Sequence, residues 1–218
     1  MKIYWIRAQA PRRVLAVAKH LGIKADYIEM GVNGEMKAPD YAKLNPNMKA
    51  PVLVDGDVVL WESAAINAWL CIKAGSDMWP ANDPMEQVEV LRWLSWNDNH
   101  WFPANSQFYF ELVVKPTFGF GTTDRTTLPP KLESFHRFAA VLNDHLAGKS
   151  YVALDRLTIA DFQLASTAAY WRVSEMPMEG YANIVRWLDG LMELPAWQSP
   201  WPDREGDAFI PAREMAEA

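Results

Sequence analysis

The sequence predicts two domains of different class, a small α/β domain followed by a domain built only from helices. Residues 1–74 alternate between short β-branched or aromatic runs and longer runs with apolar residues at helical spacing. Residues 85–218 show long helical periodicity and no strand pattern. The intervening residues 75–84, GSDMWPANDP, are rich in Gly, Pro, Asp and Asn, a composition typical of a linker.

The elements of the first domain are predicted in the order strand, helix, strand, connection, hairpin, helix. KIYWI and ADYIEM are predicted strands, and PRRVLAVAKHLGI is a predicted helix that begins with proline and ends at Gly22. The polar connection has room for one helical turn around residues 40–44. Two apolar runs then flank Asp55-Gly56-Asp57, and Asp-Gly tolerates the backbone angles of a tight hairpin turn. Apolar residues from Ala65 to Leu70 predict the last helix.

The second domain is predicted to contain four helices, over residues 85–114, 130–146, 158–171 and 181–192. The segment KPTFGFGTTDRTTLPP separates the first two and is too rich in Gly, Thr and Pro for a helix. Thr158 and Asp161 have the spacing of a capping box, which stabilises the start of a helix. Trp93, Leu94 and Trp96 are expected to pack inside the bundle.

Composition and charge limit the possible partners. The formal net charge of −6 argues against nucleic acid or an anionic membrane as the main partner. No apolar run approaches the roughly 20 residues of a membrane-spanning helix. The single cysteine, Cys71, cannot form an internal disulfide, and no Cys/His spacing fits a metal site. We expect a soluble, cytoplasmic protein without a metal, in which Cys71 is buried and inert.

Charge is uneven along the chain. Residues 1–74 carry ten Lys and Arg against seven Asp and Glu, although the whole chain is acidic. The first domain is therefore the expected place for a small anion, while solvated charged faces explain the imbalance equally well.

The stretch NMKAPVLVDGDVVLWESAA places a proline at the start of a strand and an acid and a serine at the start of a helix. Pro51 either marks a strand start or forms a cis bond with Ala50, as about one X-Pro bond in twenty does. A cis bond would turn the Ala50 backbone outward, where it can pair with an extended peptide. Ser63 is a helix cap on the simplest interpretation. Alternatively, the helix N-terminus holds a carboxylate and Glu62 an ammonium group.

Glutathione is a ligand of this kind, because it has an α-carboxylate and an α-ammonium at one end and continues as an extended backbone. The segment NPNMKAPVLVDGDVVLWESAAINAWL resembles the glutathione-site signature of the glutathione transferase family, and GEMKAPDYAKLNP resembles the loop that precedes it. The linker and the helical second half match the family as well. The resemblance implies a thioredoxin-like first domain with a mixed four-stranded sheet, an all-helical second domain and a homodimer.

The resemblance also implies which residues bind glutathione. Ser63 and Glu62 would bind the γ-glutamyl end, Ala50 with Pro51 would pair with the cysteinyl residue, and Lys49 and Lys37 would hold the glycyl carboxylate. Two positions depart from the family, which usually has Gly or another small residue at Met48 and Val at Ala50.

The group that would activate the glutathione thiol is less obvious. Family members supply a hydroxyl or thiol at positions that correspond here to Ala8 and Ala10, neither of which donates a side-chain hydrogen bond. Tyr4 and Arg12 are the predicted substitutes, with a core role for Tyr4 as the alternative. Arg7 is an equivalent electrostatic candidate and Gln9 a weaker donor. Solvated arginines are the simpler interpretation, above all for Arg13.

An apolar pocket for an electrophile is expected where the aromatic helix of the second domain faces the thiol. Its predicted lining consists of Ala8, Ala10, Trp101, Phe102, Phe108 and Tyr109.

The leading hypothesis is a glutathione transferase that conjugates glutathione to a hydrophobic electrophile, in detoxification. One alternative is a glutathione-dependent reductase of disulfides or peroxides, which would need two glutathione molecules. Another is a glutathione-binding protein without turnover, suggested by Ala8 and Ala10.

Overall fold

The computed structural model of the chain describes residues 1–31 and 34–207. Its first part contains a four-stranded sheet and three helices, as expected. The elements are β1 (Lys2–Trp5), α1 (Gln9–His20), β2 (Asp26–Glu29), α2 (Pro39–Leu44), β3 (Val52–Asp55), β4 (Val58–Trp61) and α3 (Ser63–Ala74).

The sheet is mixed, with strand order β2-β1-β3-β4. β1 runs parallel to β2 and antiparallel to β3, and β3 forms a hairpin with β4. Asp55 pairs with Val58, so Gly56 and Asp57 form the turn, and Gly56 takes a φ of +61°. This is the positive φ that the Asp-Gly pattern predicts.

The two faces of β1 meet different surroundings because strand side chains alternate. Ile3 and Trp5 are buried in the core, where Trp5 packs against Trp201. Tyr4 points to the opposite face, where its ring meets that of Tyr41 on α2, with centroids 6.0 Å apart.

The second part is helical. Its first long helical stretch contains two single turns of π-helix, called π-turns below, at Asn97–Trp101 and Phe110–Val114. The helices are α4 (Pro84–Trp96), α5 (Phe102–Tyr109), α6 (Lys115–Phe118), α7 (Pro129–His145), α8 (Ile159–Ala168), α9 (Ala182–Met192) and α10 (Pro195–Gln198). Helical structure thus continues past residue 114, where the sequence predicted a loop. The end is set by Gly119 at φ +66°, a left-handed C-terminal cap, rather than by the preceding proline.

The predicted capping box is confirmed at the start of α8. The buried Asp161 carboxylate accepts the Thr158 amide at 2.9 Å, the Val152 amide at 2.8 Å and the Trp187 indole at 3.0 Å. Asp161 therefore fixes α8 to the preceding loop and to α9.

The two parts share a core in which α1 packs against both α3 and α8. This places the start of α1 between the sheet and the helical part. Within residues 1–31 and 34–207, no helix has the length and apolar character needed to cross a membrane.

Candidate functional site

The loop before β3 is held by side chains that the sequence analysis did not single out. The Lys49 carbonyl accepts Asn45 Nδ2 at 2.6 Å and the Tyr41 hydroxyl at 2.8 Å. Asn45 is buried and also receives the Asn47 amide at 2.9 Å. Its place in the Asn-Pro-Asn run of the signature was the available signal. Met48 adopts a φ of +52°, which explains why glycine suits this position.

The backbone that follows this loop is available to a ligand. The Ala50-Pro51 bond is cis. Within the described residues, neither the Ala50 amide nor the Ala50 carbonyl forms a hydrogen bond. An extended peptide can therefore pair here in the manner of an added strand.

Ser63 does not cap its helix in this structure. The residue at the N-cap position is Glu62, exposed and at φ +71°, and Ser63 is the first helical residue. The buried Ser63 hydroxyl lies 3.3 and 3.4 Å from the amide atoms of Gln163 on α8. The capping interpretation is therefore replaced by a contact between the two halves of the molecule, and Gln163 joins the site.

Arg13 lies behind these two residues and is not solvated, contrary to expectation. It is 8% exposed, and its Nη1 donates to the Gln163 carbonyl over 3.4 Å. Its Nε is buried without a hydrogen-bond partner among the described residues. Burial lowers the pKa of Arg13 to about 10, opposed by the negative charges of Asp98 and Glu62. Arg13 therefore supplies a buried positive charge at the start of α3.

Lys37 and Lys49, the predicted partners of the glycyl carboxylate, are both exposed. Lys37 belongs to a 3-10 turn, Glu35–Lys37. Neither lysine forms an ion pair with a residue in the described part of the chain, so both charges are open to solvent.

The β1–α1 junction presents backbone amides beside the Arg7 guanidinium, which pairs with Glu29 and Asp203. Ala8 is the N-cap of α1 and provides no side-chain cap, and the first turn contains no acid. The Arg12 amide bonds the Ala8 carbonyl at 3.0 Å, and Pro11 has no N–H. The amides of Gln9 and Ala10, at the positive end of the helix dipole, have no acceptor within the described ranges.

The two predicted catalytic side chains, those of Tyr4 and Arg12, lie outside the pocket that faces the β1–α1 junction. Arg12 is 1% exposed, and its Nε and Nη2 donate to Asp207 Oδ2 at 2.9 and 2.7 Å. Its Nη2 also donates to the Trp197 carbonyl at 2.7 Å. Tyr4 packs against Tyr41 on the far face of β1. Neither residue lines the pocket described next.

A pocket of about 650 Å³ lies between the two parts of the molecule. One wall is the β1–α1 junction, Ile6 to Gln9, with residues 29–31 at the end of β2. The opposite wall comes from the helical part: Phe102, Ser106, Gln107, Tyr109, Phe110, Val114, Phe118, Phe120 and Thr167. A largely aromatic wall thus faces Ala8 and Gln9 at the start of α1.

The predicted pocket residues are divided by this geometry. Ala8, Phe102 and Tyr109 line the pocket, whereas Ala10, Trp101 and Phe108 do not. Trp101 is fully buried and donates its indole N–H to the Leu164 carbonyl at 3.1 Å. Phe108 packs on Phe135. Trp101 and Phe108 are seven positions apart, which is about two helical turns, so they share a face of the helix. That face points into the bundle core.

Gln9 connects the junction to the aromatic wall. Its Nε2 donates to the Tyr109 hydroxyl at 2.8 Å, and its Oε1 accepts the Ser166 hydroxyl at 3.2 Å. Burial raises the pKa of Tyr109, so the phenol is neutral at physiological pH. Within the described part of the chain, no group of three or more His, Cys, Asp or Glu side chains could hold a metal ion.

Comparison with known protein families agrees with this architecture. Residues 1–71 match the N-terminal domain model of glutathione S-transferases, and residues 115–190 match a C-terminal domain model of the same family. The chain is 32% identical over 194 residues to glutathione S-transferase 3 of Zea mays, which covers 85% of this chain and 86% of that relative. The chain therefore belongs to the glutathione S-transferase family.

Solved structures are similar over nearly the whole fold. The theta-class glutathione S-transferase of Xanthomonas axonopodis pv. citri, solved with glutathione bound, is 27% identical with a TM-score of 0.79 and covers 93% of this chain and 97% of its own. Glutathione S-transferase I from mais, in complex with an atrazine glutathione conjugate, is 26% identical with a TM-score of 0.79 and covers 91% of this chain and 95% of its own.

Proposed function

We propose that this protein transfers glutathione to a hydrophobic electrophile held in the pocket between its two parts. The observation that carries the proposal is the pocket between the two parts of the molecule, whose aromatic wall faces Ala8 at the β1–α1 junction. We take the open Ala50 backbone and the polar start of α3 as one half-site, for glutathione, and the aromatic wall as the other, for the electrophile. The similar structure from mais, which is in complex with an atrazine glutathione conjugate, supports conjugation as the reaction.

Glutathione binding is assigned to the first half. Ser63 and the amides at the start of α3 bind the γ-glutamyl carboxylate, and Glu62 binds the ammonium group. The buried positive charge of Arg13 would favour binding of the carboxylate. The Ala50 backbone beside Pro51 pairs with the cysteinyl residue, and Lys37 and Lys49 attract the glycyl carboxylate.

We assign thiol activation to the amides of Gln9 and Ala10 rather than to Arg12, whose guanidinium is engaged by Asp207. Lowering a thiol pKa by two units requires about 2.7 kcal/mol. Hydrogen bonds to a charged group contribute about 1.5–3 kcal/mol each, and the helix dipole adds about 0.3–1 kcal/mol. Two amides thus suffice without a side-chain hydroxyl. Activation by the Tyr4 phenol is the alternative.

The test is a pH titration of thiolate ultraviolet absorbance for glutathione with the protein, combined with turnover of chlorodinitrobenzene. A bound thiol pKa below that of free glutathione, retained in Tyr4→Phe, supports activation by the helix. Loss of the shift in Tyr4→Phe would assign it to the phenol. If the protein binds glutathione but neither lowers the thiol pKa nor turns over chlorodinitrobenzene, it is a glutathione-binding protein and not a transferase.

We also propose a homodimer in the cytoplasm, a compartment that keeps thiols reduced, with a role in detoxification. Large apolar side chains are exposed along β4, α3 and α4: Val59, Trp61, Ile72, Met85, Val88 and Leu91. Met85, Val88 and Leu91 share one face of α4 at a spacing of three. Sedimentation should give twice the chain mass of 24.8 kDa, and a Val88→Asp variant should sediment as a monomer. A monomeric parent protein would contradict the proposal.

A further inference from the structure

The outer wall of the pocket is a short turn that carries Phe120. This phenylalanine is 56% exposed although it lines the pocket. It lies between Gly119 at φ +66° and Gly121 at φ +105°. Its ring is nearly parallel to that of Phe118, with centroids 5.9 Å apart. The Phe120 amide donates to the Lys115 carbonyl at 3.1 Å. Two glycines in this region of φ still give the turn many accessible conformations, so the chain after Gly121 requires a second anchor.

Glu111 provides that anchor from inside the second π-turn. The side chain is 2% exposed, and its carboxylate accepts the Asp124 amide at 2.8 Å and Lys115 Nζ at 2.7 Å. Its backbone carbonyl accepts the Thr123 hydroxyl at 2.9 Å. Thr123 and Asp124, two and three positions after Gly121, are thus both tied to one glutamate.

The same glutamate is connected to the pocket floor. Gln107, which lines the pocket, donates its Nε2 to Glu111 Oε1 at 3.2 Å. The neighbouring Phe110 also lines the pocket and is 41% exposed. π-Turns are frequent at functional sites. This one contains both Glu111, whose side chain is buried, and Phe110, whose side chain is partly exposed in the pocket. Burying a carboxylate is costly unless it is well paired, as Glu111 is.

We propose that Glu111 is a positioning residue that fixes Phe120, and that Phe120 selects flat aromatic electrophiles over small aliphatic ones. The inference rests on the proposed transferase function. A fixed aromatic wall stacks on a planar ring with about 0.5–1.5 kcal/mol beyond burial of area, whereas a methyl group gains little from it. In the reaction the glutathione sulfur forms a bond to the electrophilic carbon, halide leaves with the bonding pair, and the thiol proton goes to solvent.

The experiment compares KM and kcat for chlorodinitrobenzene and iodomethane at saturating glutathione. We expect Phe120→Ala to raise the KM for the aryl halide by about tenfold, corresponding to a loss of roughly 1.4 kcal/mol. The KM values for iodomethane and glutathione should remain within about twofold. Glu111→Ala should reproduce this pattern, and Glu111→Gln, which keeps an acceptor for the Asp124 amide, should restore most of the aryl affinity. Glu133→Ala, an exposed change on α7, is the matched control.

The double variant Glu111→Ala/Phe120→Ala separates positioning from general stability. If Glu111 acts through Phe120, the double variant should be no worse than the poorer single variant. Additive losses, or equal losses for both electrophiles, would overturn the inference and leave Glu111 with a structural role only.

Binding of the products keeps the inference testable without turnover. Calorimetry should show weaker binding of S-dinitrophenyl glutathione, but not of S-methyl glutathione, to Phe120→Ala. A protein that binds both products but conjugates neither electrophile would refute the proposed function, and unequal losses in that protein would still support the role of Phe120. Equal losses would overturn it.

Discussion

Ser63→Ala separates ligand binding from helix capping, because the structure gives the Ser63 hydroxyl no capping bond. Its contacts with Gln163, at 3.3 and 3.4 Å, lie beyond the usual hydrogen-bond range. Losing them should cost less than about 1 kcal/mol of unfolding free energy. For a chain of this size that is a melting-temperature shift of no more than about 4 °C.

The expected effect on glutathione is larger. A hydroxyl that donates to a carboxylate contributes about 1.5–3 kcal/mol, so the Kd for glutathione should rise by about 10- to 100-fold. Titration calorimetry measures the Kd, and scanning calorimetry measures the melting temperature of the same preparation.

Ser134→Ala is the matched control, since Ser134 on α7 donates to the Lys131 carbonyl at 3.0 Å and belongs to neither half-site. It should leave the Kd unchanged. A Ser63→Ala protein that melts more than about 4 °C lower and binds glutathione as tightly as the parent would refute the assignment of Ser63 to the ligand.

Three further predictions concern buried groups. Arg12→Met removes the cation that faces the buried Asp207 carboxylate, which keeps its bonds from Tyr170 and Trp201. It should lower the unfolding free energy in urea by about 3–5 kcal/mol, without changing the thiol pKa of glutathione bound to the folded protein; a changed thiol pKa would return Arg12 to the catalytic site. Burial raises the pKa of Cys71 to about 12, so iodoacetamide should alkylate it slowly at pH 9 in the native state and rapidly in urea. Because the folded pKa of Cys71 lies above the unfolded value, the contribution of this thiol to stability is complete below about pH 8.5 and declines as pH rises. Cys71→Ala should reduce that decline of the unfolding free energy with pH. An equal slope of unfolding free energy against pH in both proteins would contradict the prediction. Asp161→Asn presents an amide N–H₂ to donors that now bond a carboxylate, and should destabilise by at least about 2 kcal/mol; a melting temperature equal to that of the parent would count against this network.

The order of elements could be predicted from the sequence because each is encoded locally. The hairpin followed from Asp55-Gly56-Asp57, and the start of α8 from Thr158 and Asp161. The two π-turns had no comparable signal, since they alter the hydrogen-bond register of a helix without an obvious change in composition. The pocket face was only partly predicted because Trp101 and Phe102, like Phe108 and Tyr109, are adjacent residues whose side chains point about 100° apart.

The glutathione half of the candidate site was readable because its residues are contiguous in the chain, from Asn45 to Ser63. The electrophile half was not, because it is built by contacts between distant segments. Gln9 reaches Tyr109, a hundred positions away, and Ser63 reaches Gln163 over the same separation. No local sequence pattern around Gln163 predicts its contact with Ser63.

Arg12 and Arg13 illustrate why adjacent residues of one type have different roles here. Successive helical residues point about 100° apart, so one guanidinium meets Asp207 while the other meets Gln163 on α8. Arg12 is neutralised by a carboxylate that the chain supplies, and it stabilises the fold. Arg13 has no such direct bond within the described residues and lies in the field of Glu62 and Asp98. Because a buried cation is costly unless it is paired, we propose that the γ-glutamyl carboxylate of bound glutathione compensates the charge of Arg13 at the start of α3.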